Sequence, residues 1–167
     1  MIQPDYKTFR KLVRTGNFVP VYETITADLL TPVAAYLKLA RDAQYSCLLE
    51  SVEGGENIAR YTFLGVDPTE VFRSRGRSCR IEIGNRVERI DADPIEVLRS
   101  RVSRYRPVKV SGLPPLVGGA IGYFAYDMVR LIERIPATSE DELKLDDAVL
   151  MIFHGLVVFD HVQHRVW

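Results

Sequence analysis

Apolar residues recur along this chain in two rhythms, and the switch between them separates helical from extended stretches. Tyr6, Phe9, Leu12 and Val13 fall three and four apart between Asp5 and Gly16, which predicts a helix over residues 5–14. Phe18 to Ile25 reads as a strand that Pro20 confines to an edge or to a strand start. Thr31 and Pro32 then open a second helix, with Val33, Tyr36, Leu37 and Ala40 as its apolar stripe. A loop at residues 42–44 leads into the apolar run Cys47 to Leu49.

From Arg60 onward a period of two takes over. Tyr61 to Leu64 and Thr69 to Ser74 read as strands with a turn at residues 65–68, and Ser78 to Ile83 pairs with Arg86 to Ile90 across Gly84-Asn85. Cys79, Ile81 and Ile83 alternate with Arg80 and Glu82, giving a sheet with one wet face. Asp93 and Pro94 start a third helix with Ile95, Leu98, Val102 and Tyr105 on its apolar side and Glu96, Arg99, Arg101 and Arg104 on its polar side. Residues 106–115, with three prolines and Gly112, read as a linker-like loop open to proteolysis. Leu116 to Phe124 returns as a strand, residues 125–134 have helical character, and Pro136 ends them. Residues 148–153 and 156–159 are apolar strand runs, and a turn at residues 160–164 leads to Arg165-Val166-Trp167. A final strand this short leaves a sheet edge unpaired, so the chain reads as the front part of a longer protein.

The composition adds bounds. At 167 residues, 47% hydrophobic and 26% charged, the chain fits one globular domain over residues 1–167. No run is apolar enough for a membrane span, and Asp5, Lys7, Arg10 and Lys11 interrupt any secretory signal, which makes a cytoplasmic location the default. A formal net charge of zero argues against nucleic acid as a partner. Arginines from Arg73 to Arg106 form a basic middle, and Glu140, Asp141, Glu142, Asp146 and Asp147 an acidic patch. Because acids interleave with those arginines, a solvated surface is expected in preference to a phosphate-binding stripe. Cys47 and Cys79 have no metal or disulfide spacing and read as free, mostly buried thiols.

The candidate chemistry centres on residues 46–65. Leu48 and Leu49 lead to Glu50 and Ser51, a carboxylate and a hydroxyl at the close of an apolar strand, where an ammonium group could be accepted. Gly54 and Gly55 let the backbone turn, and Arg60 returns as a fixed cation for a carboxylate, so the pattern suggests a site for a small zwitterion. The structural alternative is a strand edge and solvent turn, with Arg60 in a surface pair. His154, His161 and His164 lack metal-ligand spacing and read as hairpin residues. Gly118, Gly119 and Gly122 lack the spacing of a dinucleotide loop and suit a close backbone approach, with Tyr123 and Tyr126 at a rim and Asp127 with Arg130 as a local pair. Ser51 has no nucleophile elbow and no histidine nearby in sequence. No catalytic residue and no metal site is therefore assigned.

Two blocks carry a resemblance. Leu48-Leu49-Glu50-Ser51 followed by Arg60-Tyr61-Thr62-Phe63-Leu64-Gly65, and the segment from Gly118 to Arg130, resemble the amino-terminal region of the anthranilate synthase large subunit. They are more loosely similar to aminodeoxychorismate synthase. The resemblance implies an α+β fold, a layered α/β sandwich with mostly antiparallel sheet. It implies a pocket for the inhibitor tryptophan, with Glu50, Ser51 and Leu49 contributed by the motif and Arg60 as the basic residue after the loop; Val21, Tyr22, Leu48 and Leu49 would supply part of an apolar wall. It further implies a carboxy-terminal catalytic region, absent here, that makes anthranilate and pyruvate from chorismate, with Mg2+ and with ammonia from a glutamine amidotransferase subunit. These 167 residues alone are then expected to be non-catalytic and to hold no cofactor. The alternatives are the corresponding part of aminodeoxychorismate synthase and a purely structural or docking fragment.

Overall fold

Asp5 accepts the Thr8 backbone N–H at 2.9 Å and so caps α1 (Tyr6–Leu12), the first element of a computed structural model that describes residues 1–50, 60–136 and 140–167. Where the sequence reads as one domain, the packing divides the chain into two compact units that alternate along it. Unit 1 comprises Met1–Pro68, Tyr105–Gly119 and Phe153–Trp167, and unit 2 comprises Thr69–Arg104 and Ala120–Ile152.

Unit 1 holds β1 (Ile25–Thr26), α2 (Pro32–Leu39), β2 (Ser46–Leu49), β3 (Tyr61–Val66), β9 (Val157–Asp160) and β10 (Arg165–Val166). Its strands form a five-stranded antiparallel sheet in the order β1-β10-β9-β3-β2. Thr31 caps α2 through the Ala34 N–H, as the sequence predicts. The buried stripe is only partly the expected one: Tyr36 packs against the core, Ala35 is 4% exposed and packs with Leu64, Phe159 and Val166, and Val33 and Leu37 face solvent. Leu64 and Phe159 rise from the sheet under α2, and a small side chain is what lets the helix approach them.

The predicted strand at residues 18–25 is reduced to β1 and two isolated bridges, Gln3 with Tyr22 and Phe18 with Pro107. Pro20 has no N–H to give to a continuous ladder. The same bridge pins the predicted linker. Val108 donates to the Phe18 carbonyl at 2.9 Å, and the Arg106 N–H donates to Asn17 Oδ1 at 2.6 Å. β3 also outruns its predicted end, because Gly65 pairs with Cys47 and Val66 with Ser46. Glycine is required there: a Cβ on Gly65 would lie 2.9 Å from the Phe153 ring and 3.0 Å from Cys47 Sγ.

Unit 2 holds β4 (Glu70–Arg75), β5 (Ser78–Ile83), β6 (Arg86–Asp91), α3 (Pro94–Val102), a 3-10 segment at Tyr126–Leu131, and nearly all of β7 (Gly119–Phe124) and β8 (Ala148–Phe153). The sheet order is β6-β5-β4-β8-β7. The β5–β6 hairpin has the predicted register, with Ile83 opposite Arg86 across Gly84-Asn85. Phe72, Cys79, Ile81, Ala148 and Leu150 form its core with Val97 and Met128. Gly122 makes the close approach expected of its segment, since a Cβ there would lie 1.9 Å from the Val149 carbonyl oxygen.

The third helix keeps Ile95 and Leu98 of its expected stripe against the core, but its most buried positions inside the helix include two that lie off that stripe. Val97 is 8% and Arg101 5% exposed, while Val102 is exposed. Arg101 leaves the predicted polar face because two carboxylates wait for it. It pairs with Glu70 at 3.4 Å and with Glu88, both on the sheet face that carries Phe72 and Ile81.

Candidate functional site

The described ends of the stretch that sequence chemistry singles out, residues 46–50 and 60–65, lie on neighbouring strands of unit 1's sheet. Leu49 pairs with Phe63, so Glu50 and Arg60 both lie at the loop end of the β2–β3 hairpin. Leu49 is 42% exposed and Glu50 is exposed. Ser51, Gly54 and Gly55 lie outside the described residues. The register thus sets an acidic and a basic residue at the same end of the hairpin.

Arg60 already has a partner that the sequence did not suggest. Its Nε donates to Asp160 Oδ1 at 3.1 Å and its Nη2 to Asp160 Oδ2 at 2.7 Å, a bidentate pair between β3's entrance and the end of β9. The guanidinium also stacks 4.9 Å from the Tyr61 ring centroid. Asp160 is fully shielded by its side chain's surroundings, at 0% exposure, against 33% for Arg60. Oδ1 accepts the Val162 N–H at 3.0 Å and the Gln163 N–H at 3.1 Å as well, so one carboxylate closes the β9–β10 turn and fixes the arginine. Burial pushes the Asp160 carboxyl up, but the Arg60 hydrogen bonds, the two turn amides and the Arg60 charge outweigh it and hold the carboxyl below its ordinary value. Asp160 raises the Arg60 guanidinium correspondingly.

The register shows what surrounds this pair. Tyr61 lies opposite Asp160 and Leu49 opposite Phe63, so Leu49, Tyr61, Phe63 and Asp160 share the face turned away from α2. Tyr61 lies 6.0 Å from Phe63 and 6.4 Å from Trp167 between ring centroids, and Arg165 stacks 4.2 Å over Trp167. This aromatic wall differs from the one expected. Leu48 belongs with the α2 cluster, and Val21 and Tyr22 line a groove of about 320 Å³ with Phe18, Leu156 and Trp167. Period-two alternation along β3 is the signal that could have found Tyr61 and Phe63. Asp160 had none, because it stood in what reads as a turn.

The remaining candidates have structural partners. His161 Nε2 lies 2.8 Å from Thr62 Oγ1, and His154 Nε2 lies 2.9 Å from Tyr105 Oη within an edge-on aromatic trio completed by Phe18. Among the described residues no group of three or more His, Cys, Asp or Glu could hold a metal ion. Cys47 and Cys79 are free thiols. Burial pushes both up, with Asp93 and Asp91 adding to the rise at Cys79, so neither is an activated nucleophile. Asp127 and Arg130 form the expected local pair at 2.5 Å, and Tyr123 donates to the Asp146 carbonyl at 3.2 Å. Among the described residues no helix is long and apolar enough to cross a membrane.

No protein-family model matches the chain. Curated relatives do. Anthranilate synthase component 1 of Synechocystis is 38% identical over 169 residues, covering 100% of this chain and 33% of the relative. That of Pseudomonas aeruginosa is 41% identical over 163 residues, covering 95% of this chain and 33% of the relative, and that of Thermus thermophilus 42% over 146 residues, covering 87% and 30%. A crystal structure of anthranilate synthase component I from Streptococcus pneumoniae TIGR4 is similar with a TM-score of 0.55 at 28% identity, covering 87% of this chain and 30% of that one. The chain spans about a third of the length of the curated relatives it matches.

Proposed function

Because the chain belongs to the anthranilate synthase component I family, we propose that it is the tryptophan-sensing amino-terminal region of such an enzyme. The observation that carries this is the shared rim of the β2–β3 hairpin: an exposed Glu50 on one arm and, on the other, Arg60 held rigid by Asp160. In this reading Glu50 and the Ser51 hydroxyl receive the ammonium of a free amino acid. Arg60 binds Asp160 through Nε and Nη2, and its remaining Nη1 edge is the one offered to the ligand's carboxylate. Leu49, with Tyr61 and Phe63 on its face of the sheet, supplies the apolar wall that an indole ring needs.

The catalytic chemistry belongs to the full-length enzyme. It would convert chorismate and ammonia to anthranilate and pyruvate in the cytoplasm, with Mg2+ and with ammonia delivered by a glutamine amidotransferase subunit. These residues would report tryptophan occupancy to the catalytic region, a coupling between two distinct sites. The test is anthranilate formation by the full-length protein, from chorismate and ammonia, across a tryptophan titration. Progressive inhibition is expected; full activity at saturating tryptophan would defeat the regulatory assignment.

A further inference from the structure

In unit 2 the β4–β5–β6 hairpins set three arginines in one cross-strand row, Arg73 opposite Arg80 and Arg80 opposite Arg89. Neighbouring strands lie about 4.8 Å apart, so three cationic side chains stand side by side on the face turned away from Phe72 and Ile81. Like charges directly opposite one another destabilise a sheet. The local compensation is partial. Glu82 is shared, 3.4 Å from Arg73 and 3.0 Å from Arg80, and Asp146 binds Arg73 at 2.9 Å. Arg89 is exposed and forms no ion pair among the described residues.

The chain itself shows what chemistry suits these arginines. Its own acidic segment runs beside β4: Asp141 binds Arg75 at 2.5 Å, Asp146 binds Arg73, and Asp147 accepts the Gly76 N–H at 2.6 Å. Asp141 and Asp146 reach the arginines of β4, and among the described residues none of the three carboxylates pairs with Arg80 or Arg89, one and two strands further out. Glu82 and Asp146 also neutralise part of the row, which disfavours a densely charged polyphosphate and suits carboxylates presented singly along a peptide. From this we propose that Arg80 and Arg89, flanked by Arg73, form a docking surface for an acidic peptide segment of a partner protein. Each guanidinium fork takes one carboxylate through parallel hydrogen bonds, and the row's cost in sheet stability is offset when the partner is bound.

The experiment is fluorescence anisotropy of a labelled hexaglutamate peptide titrated with the full chain at low salt, with tripolyphosphate as competitor. The account expects saturable binding that weakens about tenfold or more in Arg80→Glu/Arg89→Glu and in the milder Arg80→Gln/Arg89→Gln. It expects no change in Arg10→Glu/Lys11→Glu on α1, and a higher melting temperature for the Arg80→Gln/Arg89→Gln protein. Absent binding by the wild type, equal binding by the Arg80/Arg89 variants, or tighter binding of tripolyphosphate than of the peptide would overturn it.

Discussion

Among the described residues, the most deeply buried charge of unit 1 is an anion, the Asp160 carboxylate at 0% side-chain exposure, and that of unit 2 is a cation, the Arg101 guanidinium at 6%. Asp160 is satisfied by a partly exposed arginine and two turn amides, all at 3.1 Å or closer. Arg101 stands between two carboxylates, Glu70 largely buried and Glu88 half in water. The anion closes a turn and orients a second group, whereas the cation fastens α3 to its sheet. A buried ion pair is weak evidence for stability in itself, and breaking one by removing a single partner is costly. The two units therefore differ in what each pair is for: position in unit 1, attachment in unit 2.

The sharpest way to break that contrast is at Arg101. Arg101→Ala leaves Glu70 without its cation in the interior and is expected to cost about 3–5 kcal/mol in chemical denaturation. Adding Glu70→Gln and Glu88→Gln to Arg101→Met should recover most of that loss, because it is the unpaired charge that costs. A triple variant no more stable than Arg101→Ala would refute the attachment role.

Asp160→Asn comes next, at about 1.5–3 kcal/mol, the range for hydrogen bonds to a charged group. Its effect should depend on pH. The folded carboxyl titrates below its ordinary value of 3.8, so its contribution is fully present above 3.8 and is lost as pH falls through the lower folded value. The stability gap between wild type and Asp160→Asn should accordingly be constant above pH 3.8 and shrink in stronger acid. A gap independent of pH down to the acid transition would remove the charge from the explanation. The smallest effects are at two helix caps, one chosen from each unit. Thr31→Ala and Asp93→Ala should each cost about 1 kcal/mol, since each cap accepts one otherwise orphaned N–H.

Local signals were legible in the sequence, and long-range ones were not. Asp5, Thr31 and Asp93 cap their helices where a capping residue before an apolar run says they should, and Gly84-Asn85 sets the β5–β6 register. Glu50 closes β2 as expected, because the apolar run stops there. Which face of a two-turn helix is buried depends on what the sheet presents, and so Ala35 and Arg101 are buried beside Tyr36, Ile95 and Leu98 of the stripes that periodicity proposes, while Val33, Leu37 and Val102 are exposed. Asp160 meets Arg60 across 100 residues, a separation at which no spacing rule operates. Its acid ends β9 where the sequence reads as a turn, and there a short polar side chain is ordinarily explained by the turn alone.

The central claim is that the carboxylate of Glu50 recognises the ammonium of a free amino acid beside an arginine set in place by Asp160. Isothermal titration of tryptophan into the full-length protein, wild type against Glu50→Gln, tests it directly. The account predicts saturable binding by the wild type and an affinity lower by about tenfold or more in the variant, the loss of one charge-assisted contact. Equal affinity in the two proteins, with both folded, would contradict it.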